Sequence, residues 1–336
     1  MNEHLPQMES LAVSLFRTSG IEMGDYSISA LQGGNNRVYL LDTKSDRYVL
    51  KHYYDSAKDK RDRLNSEYEF LKFAWENGIC EIPKPLACNP DKRIALYQYI
   101  EGHKLVSGQV TYQHVSMAAE FISELNTKEN RLLPEACNLP MAADFYSNIR
   151  QAVLSVDSRM QKLLSISIKD AIDRKANTFI ETFLAPEWQR IKTKLSEFGS
   201  NLNGIDESEL ILSPSDFGFH NAIINENGRV IFIDFEYAGW DDPVKLVCDF
   251  FCQPAVPVPI NFLDRFTDNI IMLIDTQRDI KLAIEMLFPL FRIKWCCIML
   301  NDFLPSESRR KAFANFKDDT RKSQLEKAQR YAEENL

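Results

Sequence analysis

The spacing of apolar and polar positions changes character along the chain, and the changes mark its parts. Residues 7–18 carry apolar side chains at helical spacing and predict an amphipathic opening helix. Residues 38–42 and 47–53 then read as two strands joined by the polar turn Thr43-Lys44-Ser45-Asp46. A charged helix over about 59–77 follows and stops at Asn77-Gly78. Its positions Leu64, Glu67, Leu71 and Ala74 form one stripe at i, i+3, i+7 and i+10. Ile82-Pro83-Lys84-Pro85 breaks the pattern, residues 94–100 predict another strand, and Glu101-Gly102 reads as a hinge. Beyond it, helical spacing covers 111–126, much of 141–200, and most of 258–300 and 305–334, with 209–235 as the exception. The pattern predicts an α+β chain with a small lobe over 1–101 and a larger, mostly helical lobe over 102–336 carrying one hairpin.

The exception holds the candidate chemistry. Leu210-Ile211-Leu212-Ser213 is a short strand that runs into Pro214-Ser215-Asp216-Phe217-Gly218-Phe219-His220-Asn221. Two apolar runs follow, separated by Asn227-Gly228, and Asn-Gly in that setting signals a type I′ hairpin turn. With 227 and 228 as the two loop residues, Ile224 faces Ile231, Ala222 faces Ile233 and Asn221 faces Asp234. Directly opposed residues have Cβ atoms about 4.5–5.5 Å apart, so Asn221 and Asp234 are expected side by side at the hairpin's open end. One carboxylate plus one amide oxygen suits Mg2+, which takes few protein ligands. Asp216, on the loop just before, suits a base for a hydroxyl proton. Taken singly, Asp216 and Asn221 read as loop formers and Asp234 as a strand end; the register favours a site.

Lys51 sits in an apolar strand on the face of Val49 and Tyr53, and Glu67 lies on the helix stripe that should face the core. Buried charges are costly unless paired, so the two are expected to meet and hold the lysine toward phosphates. A surface lysine and a boundary glutamate is the plainer reading. Gly33-Gly34 precede the first of these strands, where backbone N–H groups can approach phosphates. The stretch is neither GxGxxG nor GxxxxGK[ST], and alone it reads as a turn.

Composition narrows the classes. Of 336 residues, 45% are hydrophobic and 26% charged, ordinary for a soluble globular chain long enough for two lobes. Net charge is −8, from 48 acidic and 40 basic residues, which argues against a nucleic-acid partner. No basic segment precedes an early apolar run and no apolar stretch approaches bilayer length, so neither a signal peptide nor membrane insertion is expected. Seven cysteines without CxxC and five histidines without HxxxH predict a reduced, cytoplasmic setting and no structural zinc. Cys248, Cys252, Cys296 and Cys297 read as core residues.

Together these residues resemble the aminoglycoside phosphotransferase and choline kinase group, small-molecule relatives of protein kinases, over roughly 28–252. The resemblance implies a protein-kinase-like two-lobed fold, with a small N-lobe built on an antiparallel sheet and a larger, mostly helical C-lobe. It implies transfer of the γ-phosphate of ATP to a hydroxyl of a small molecule such as a sugar, amino alcohol or aminoglycoside. Lys51 would hold the α/β-phosphates, Glu67 would orient it, and Gly33, Gly34 and Asn36 would belong to the nucleotide-covering loop. Gln98, Tyr99 and Ile100 would form the hinge that holds adenine. Asp216 resembles the catalytic base of the D-x4-N loop, Asn221 its metal-binding Asn, Asp234 the Asp that carries Mg2+, and Asp242-Pro243 the element that follows. Three positions depart from the family pattern. Pro214-Ser215 replaces the usual His-Gly, Leu246 the usual Asp (with Asp249 one turn later), and Gly218 a position often basic, with His220 near it. The alternative is a degenerate kinase fold that binds nucleotide or serves as a scaffold. No long activation segment follows Asp234, which favours a small-molecule acceptor over a protein. The identity of the acceptor, and ATP against GTP, stay open.

Overall fold

Five antiparallel strands in the order β1-β2-β3-β5-β4 form the N-terminal sheet: β1 (Tyr26–Leu31), β2 (Arg37–Thr43), β3 (Arg47–His52), β4 (Pro85–Asn89) and β5 (Ile94–Gln98). The computed structural model describes residues 5–22, 24–31, 33–55, 61–197, 204–305, 310–311, 313–314 and 319–336. Period-two alternation gives the sheet two different faces. Tyr39, Leu41, Leu50, Ala87 and Leu96 pack against Met8, Ala12, Leu15 and Phe16 of α1 (Leu5–Ser19). Lys51, one residue on from Leu50 and flanked across the ladder by Val38 and Ala95, turns to the opposite face. That face is covered by α2 (Arg63–Glu76), whose stripe Leu64, Glu67, Leu71 and Ala74 is buried throughout.

The expected strands and helix are present, with differences at their ends. Asp62 caps α2 by accepting the Asn65 N–H at 3.1 Å, so the helix starts at Arg63; residues 59–60 of the expected span lie outside the described residues. β1 and β4 escaped the sequence reading. Both are edge strands, and β4 opens on Pro85, a residue tolerated at an edge because it removes no needed ladder bond.

Gly102, between β5 and the first helix of the second lobe, has φ 149°. A Cβ there would fall 2.1 Å from the Ile224 carbonyl oxygen, so only glycine fits. His103 and Ile224 exchange backbone hydrogen bonds of 3.0 and 2.8 Å at this point. The C-lobe contains α3 (Tyr112–Leu125), the single turns α4 (Lys128–Arg131) and α5 (Pro134–Cys137), α6 (Ile149–Leu164), and α7 (Ala171–Phe179), which continues through a π turn into α8 (Ala185–Glu197). After the hairpin region come α9 (Pro243–Cys252), α10 (Leu263–Ile271), α11 (Ile280–Met299) and α12 (Arg321–Asn335). α11 is the central helix and packs on α6, α8, α9 and α12. Parts of the last expected helical stretch, 306–309, 312 and 315–318, lie outside the described residues. One hydrophobic core runs from α2 and β5 through α3 and the hairpin to α9 and α11.

The hairpin differs from the expected register by one residue. β7 (Ala222–Ile224) pairs β8 (Val230–Phe232) with Ala222 opposite Phe232 and Ile224 opposite Val230. The cause is Asn225, whose side-chain oxygen accepts the N–H groups of Asn227 and Arg229 at 3.0 and 2.9 Å. Its backbone closes a wider loop in which Gly228 has φ 73° and Asn227 stays outside the left-handed region. This is a three-residue turn with one left-handed glycine, not a type I′ pair. Asn221 therefore faces Ile233, whose N–H it accepts at 2.9 Å, and not Asp234. A second two-stranded ladder joins β6 (Ile211–Ser213) to β9 (Gly239–Asp241).

Cys248, Cys252, Cys296 and Cys297 are buried core residues, and burial pushes their thiols up. Cys80 and Cys137 are exposed. No helix among the described residues is long and apolar enough to cross a membrane.

Candidate active site

The loop between β6 and β7 stands on aromatic side chains. Phe217 and Phe219 are buried, with ring centroids 5.1 and 5.5 Å from that of Phe250. With the two rings that follow it anchored, Asp216 stays partly exposed at the surface of a cleft.

Ser215 reaches that position through a left-handed backbone, φ 66°. Such a conformation costs a non-glycine residue about 1–2 kcal/mol, and a glycine stands here in the resembling family. Ser215 is held by three hydrogen bonds: its N–H donates to Ser213 Oγ at 3.0 Å, its hydroxyl donates to the Ala143 carbonyl at 3.0 Å, and Lys245 Nζ donates to its Oγ at 3.0 Å. Lys245 is fully buried on α9 and also pairs Asp241 at 2.7 Å and Asp249 at 3.3 Å. Burial opposes its charge, but the two carboxylates outweigh it and raise the amine. Lys245 thus braces the loop where the family's histidine would. The sequence reading missed it, although Asp241, Lys245 and Asp249 at four-residue spacing was a usable signal. Ser215→Ala keeps the strained backbone and loses the side-chain bonds, so it should destabilise by about 1–3 kcal/mol. Ser215→Gly loses the same bonds but relieves the strain and should cost about 1 kcal/mol less. Urea unfolding of both variants checks the order; glycine equal to or worse than alanine would contradict it.

Asp216 contacts two of the residues that follow. His220 Nε2 lies 3.2 Å from its Oδ1, and Asn221 Nδ2 donates to its backbone oxygen at 3.0 Å and to its Oδ2 at 3.2 Å. Burial works to raise the carboxyl, but His220, Asn221 and Lys294 outweigh it and hold it below the ordinary range. Asp216 is therefore an ionised acceptor at neutral pH. Gly218 makes room for the histidine, since a Cβ at that position would lie 2.8 Å from the ring. Asp249, one turn beyond Leu246, does not reach the loop directly. It anchors Lys294 with both oxygens at 2.9 Å and accepts Trp295 Nε1 at 3.0 Å.

Lys51 joins the other candidates. Its Nζ lies 2.6 Å from Glu67 Oε2 and 2.5 Å from Asp234 Oδ1. Tyr53 donates to the same Glu67 oxygen at 2.8 Å. Burial opposes the lysine's charge, but Asp234 and Glu67 outweigh it and keep the amine protonated. Burial pushes the Glu67 carboxyl up to about 7 against the pull of Lys51. Asp234 adopts φ 67°, and its side chain is 37% exposed, the accessible member of the trio.

Gly33 is tightly enclosed: a Cβ would fall 2.3 Å from the Asn36 carbonyl oxygen, whereas Gly34 has open space. The Asn36 side chain ties the loop to β3's end and to Glu236. It is 3% exposed, accepts the Tyr54 N–H at 3.0 Å and donates to Glu236 Oε2 at 2.5 Å. Asn35 donates to the other Glu236 oxygen at 2.8 Å, and Arg63 pairs that oxygen at 2.6 Å. Glu236 and Arg63, both buried, are site residues the sequence reading missed. Gln98 ends β5, and Tyr99 and Ile100 follow it. The Gln98 and Tyr99 N–H groups are taken by Lys84 and Arg47 carbonyls at 3.0 and 3.2 Å, and the Arg47 guanidinium lies 4.8 Å from the Tyr99 ring centroid.

The structure thus gathers Lys51, Glu67 and Asp234 in one contact, and Asp216 with Asn221 in another. Among the described residues no hydrogen bond reaches Asp234 Oδ2 or Asn221 Oδ1. Each is left as an acceptor, a carboxylate oxygen and an amide oxygen of the kind that suits a hard divalent cation. Asp216 borders a cavity of about 910 Å³ that also touches Asn35 and Tyr54 of the N-lobe and α6 and α11 of the C-lobe.

The model of the APH phosphotransferase enzyme family matches residues 27–266. A search of curated proteins gave no match. Among solved structures, the chain is similar to a spectinomycin phosphotransferase in complex with ADP and spectinomycin, at a TM-score of 0.62 and 15% identity, covering 97% of this chain and 98% of that one. It is similar to choline kinase from Cryptosporidium parvum (TM-score 0.56, 12% identity, covering 97% and 96%). It is also similar to choline kinase LicA from Streptococcus pneumoniae (TM-score 0.54, 14% identity, covering 98% and 99%). At these identities the likeness is one of fold: an antiparallel N-lobe sheet above a helical C-lobe.

Proposed function

The chain belongs to the APH phosphotransferase enzyme family, and on that premise we propose that it moves the γ-phosphate of ATP to a hydroxyl group of a small molecule. The observation that carries the reading is Asp216, an ionised carboxylate at the wall of a large cavity beside an amide with a free oxygen. In this reading Asp216 accepts the proton of the acceptor hydroxyl and Lys51, oriented by Glu67, holds the α/β-phosphates. The loop at Gly33 and Gly34 covers the triphosphate, and Gln98, Tyr99 and Ile100 line the adenine side. Asp234 and Asn221 would hold Mg2+, which supplies charge neutralisation on the triphosphate. The protein's work is then mainly positioning and electrostatics, as for phosphoryl transfer generally. We place the lobe boundary at Glu101–Gly102 and the enzyme in the cytoplasm, where ATP is available and free thiols persist.

The degenerate-fold alternative drew its motive from the missing His-Gly. The Lys245–Ser215 bond supplies a brace at that position and weighs against it. Nucleotide binding measured by thermal shift, with and without Mg2+, tests the proposal. Wild type should gain about 2–3 kcal/mol at a nucleotide concentration a hundred times Kd, only with the metal, and Asp234→Asn should lose that gain. No stabilisation of the wild type by any nucleotide would move the assignment to the scaffold reading.

A further inference from the structure

The cavity at Asp216 has the wrong charge for the cationic acceptors that the name of the family suggests. Among the described residues, six cationic side chains line it against three carboxylates, in a chain whose net charge is −8. Two of those carboxylates are already engaged, Asp144 by Arg159 and Asp249 by both Lys294 and Trp295. The third is Asp216 itself. An ammonium group entering here meets only carboxylates that already hold a partner, Asp216 being held by His220 and Asn221.

One wall explains what the cavity does take. Ser155, Ser158, Arg159 and Lys162 follow the spacing i, i+3, i+4, i+7 along α6 and line the cavity, while Ala152, Val156, Met160 and Leu163 are buried on the helix's other side. The cavity face of α6 therefore offers two hydroxyls and two cations and no carboxylate. Lys162 is exposed and has no ion-pair partner among the described residues. The Nε of Arg159 is shielded from solvent without a hydrogen-bond partner. Donors in excess of acceptors, with a guanidinium beside an ammonium, are what recognition of an oxyanion requires.

We propose that the acceptor is itself an anion, a polyol or sugar carrying a phosphoryl or carboxyl group, with that group on Arg159 and Lys162 and its free hydroxyl at Asp216. The inference rests on the kinase reading above and specifies its substrate class. In the transfer, the hydroxyl oxygen bonds to the γ-phosphorus of ATP and the bond from that phosphorus to the β-bridging oxygen breaks. ADP leaves with the electron pair, and the hydroxyl proton passes to Asp216. The product carries one more phosphoryl group than an already charged acceptor, and the cations of α6 offset that charge.

Inorganic phosphate and acetate, as the two anion probes, and choline, as the cationic probe, are titrated into enzyme already saturated with Mg2+ and a non-hydrolysable ATP analogue. The signal is tryptophan fluorescence, since Trp295 lines the cavity. An anion should bind saturably and choline should not; tighter phosphate assigns a phosphoryl group and tighter acetate a carboxyl group. Lys162→Glu, on an exposed side chain and so safe for folding, should raise the anion Kd about tenfold or more and leave the analogue's Kd unchanged. Saturable choline binding, no saturable anion binding, or a Lys162→Glu effect on the analogue instead of the anion overturns the proposal. Because the analogue's own binding is titrated first, before any acceptor probe is added, its loss would indict the kinase reading, while its retention confines the failure to the substrate class.

Discussion

Asp216→Asn should lower kcat by about a hundredfold to ten-thousandfold, the range for losing a general base, while nucleotide affinity stays within about a factor of three. The substitution keeps the side chain's shape. An asparagine oxygen can still accept from Asn221 Nδ2, and its amide can donate to His220 Nε2 once that ring carries its proton on the other nitrogen, the atom now without a partner. What it removes is the negative charge that receives the hydroxyl proton. A kcat loss with unchanged analogue Kd identifies a group acting on the reacting hydroxyl; an equal rise in Kd would mean that Asp216 only supports the fold of the loop. Unchanged turnover would remove Asp216 from the chemistry.

Lys51→Met is the second large effect, and it divides between stability and activity. Lys51 is 7% exposed as a residue, and its amine stands between Glu67 and Asp234, with Glu236 contributing to the same field. Removing the cation leaves carboxylates gathered around an apolar methionine, and breaking a buried pair in this way costs about 3–5 kcal/mol. Thermal unfolding should show the loss. Adding Glu67→Gln removes the most buried of the stranded charges and should restore about half of that stability. Activity should stay lost in the double variant, because no cation then reaches the triphosphate from β3. Recovery of both together would make the pair a packing element with no part in nucleotide handling.

How far the sequence reached depends on how local each signal is. The Lys51–Glu67 pair was legible because two periods meet there, the alternation of β3 and the buried stripe of α2, only 16 residues apart. The hairpin was legible as a hairpin, but its register was not. The side chain of Asn225 competes for the turn's N–H groups and widens it by one residue. That competition, typical of Asx residues, moved Asn221 opposite Ile233 and set Asp234 in the left-handed region beyond the ladder. The loop at Asp216 was found by motif, while its brace was not, since Lys245 lies 30 residues away on another helix. Glu236 with Arg63, 173 residues apart, is a tertiary fact with no periodic signature, and the polar stripe of α6 is periodic but does not say which cavity it faces. The net charge of the whole chain even pointed away from that helix's cations.

The cysteines give the lobes a built-in ruler. Cys80 and Cys137 present exposed thiols, one between α2 and β4 in the sheet lobe and the other at the end of α5 in the helical lobe. The four thiols in the α9–α11 core are buried and hard to ionise, and Cys88 is half-buried with its thiol also pushed up. Maleimide chemistry needs an accessible thiolate, so the natural chain should take a dye or spin label at two sites, one on either side of Gly102. Movement of one lobe against the other can then be followed as a distance, in the unaltered protein, as nucleotide and acceptor are added.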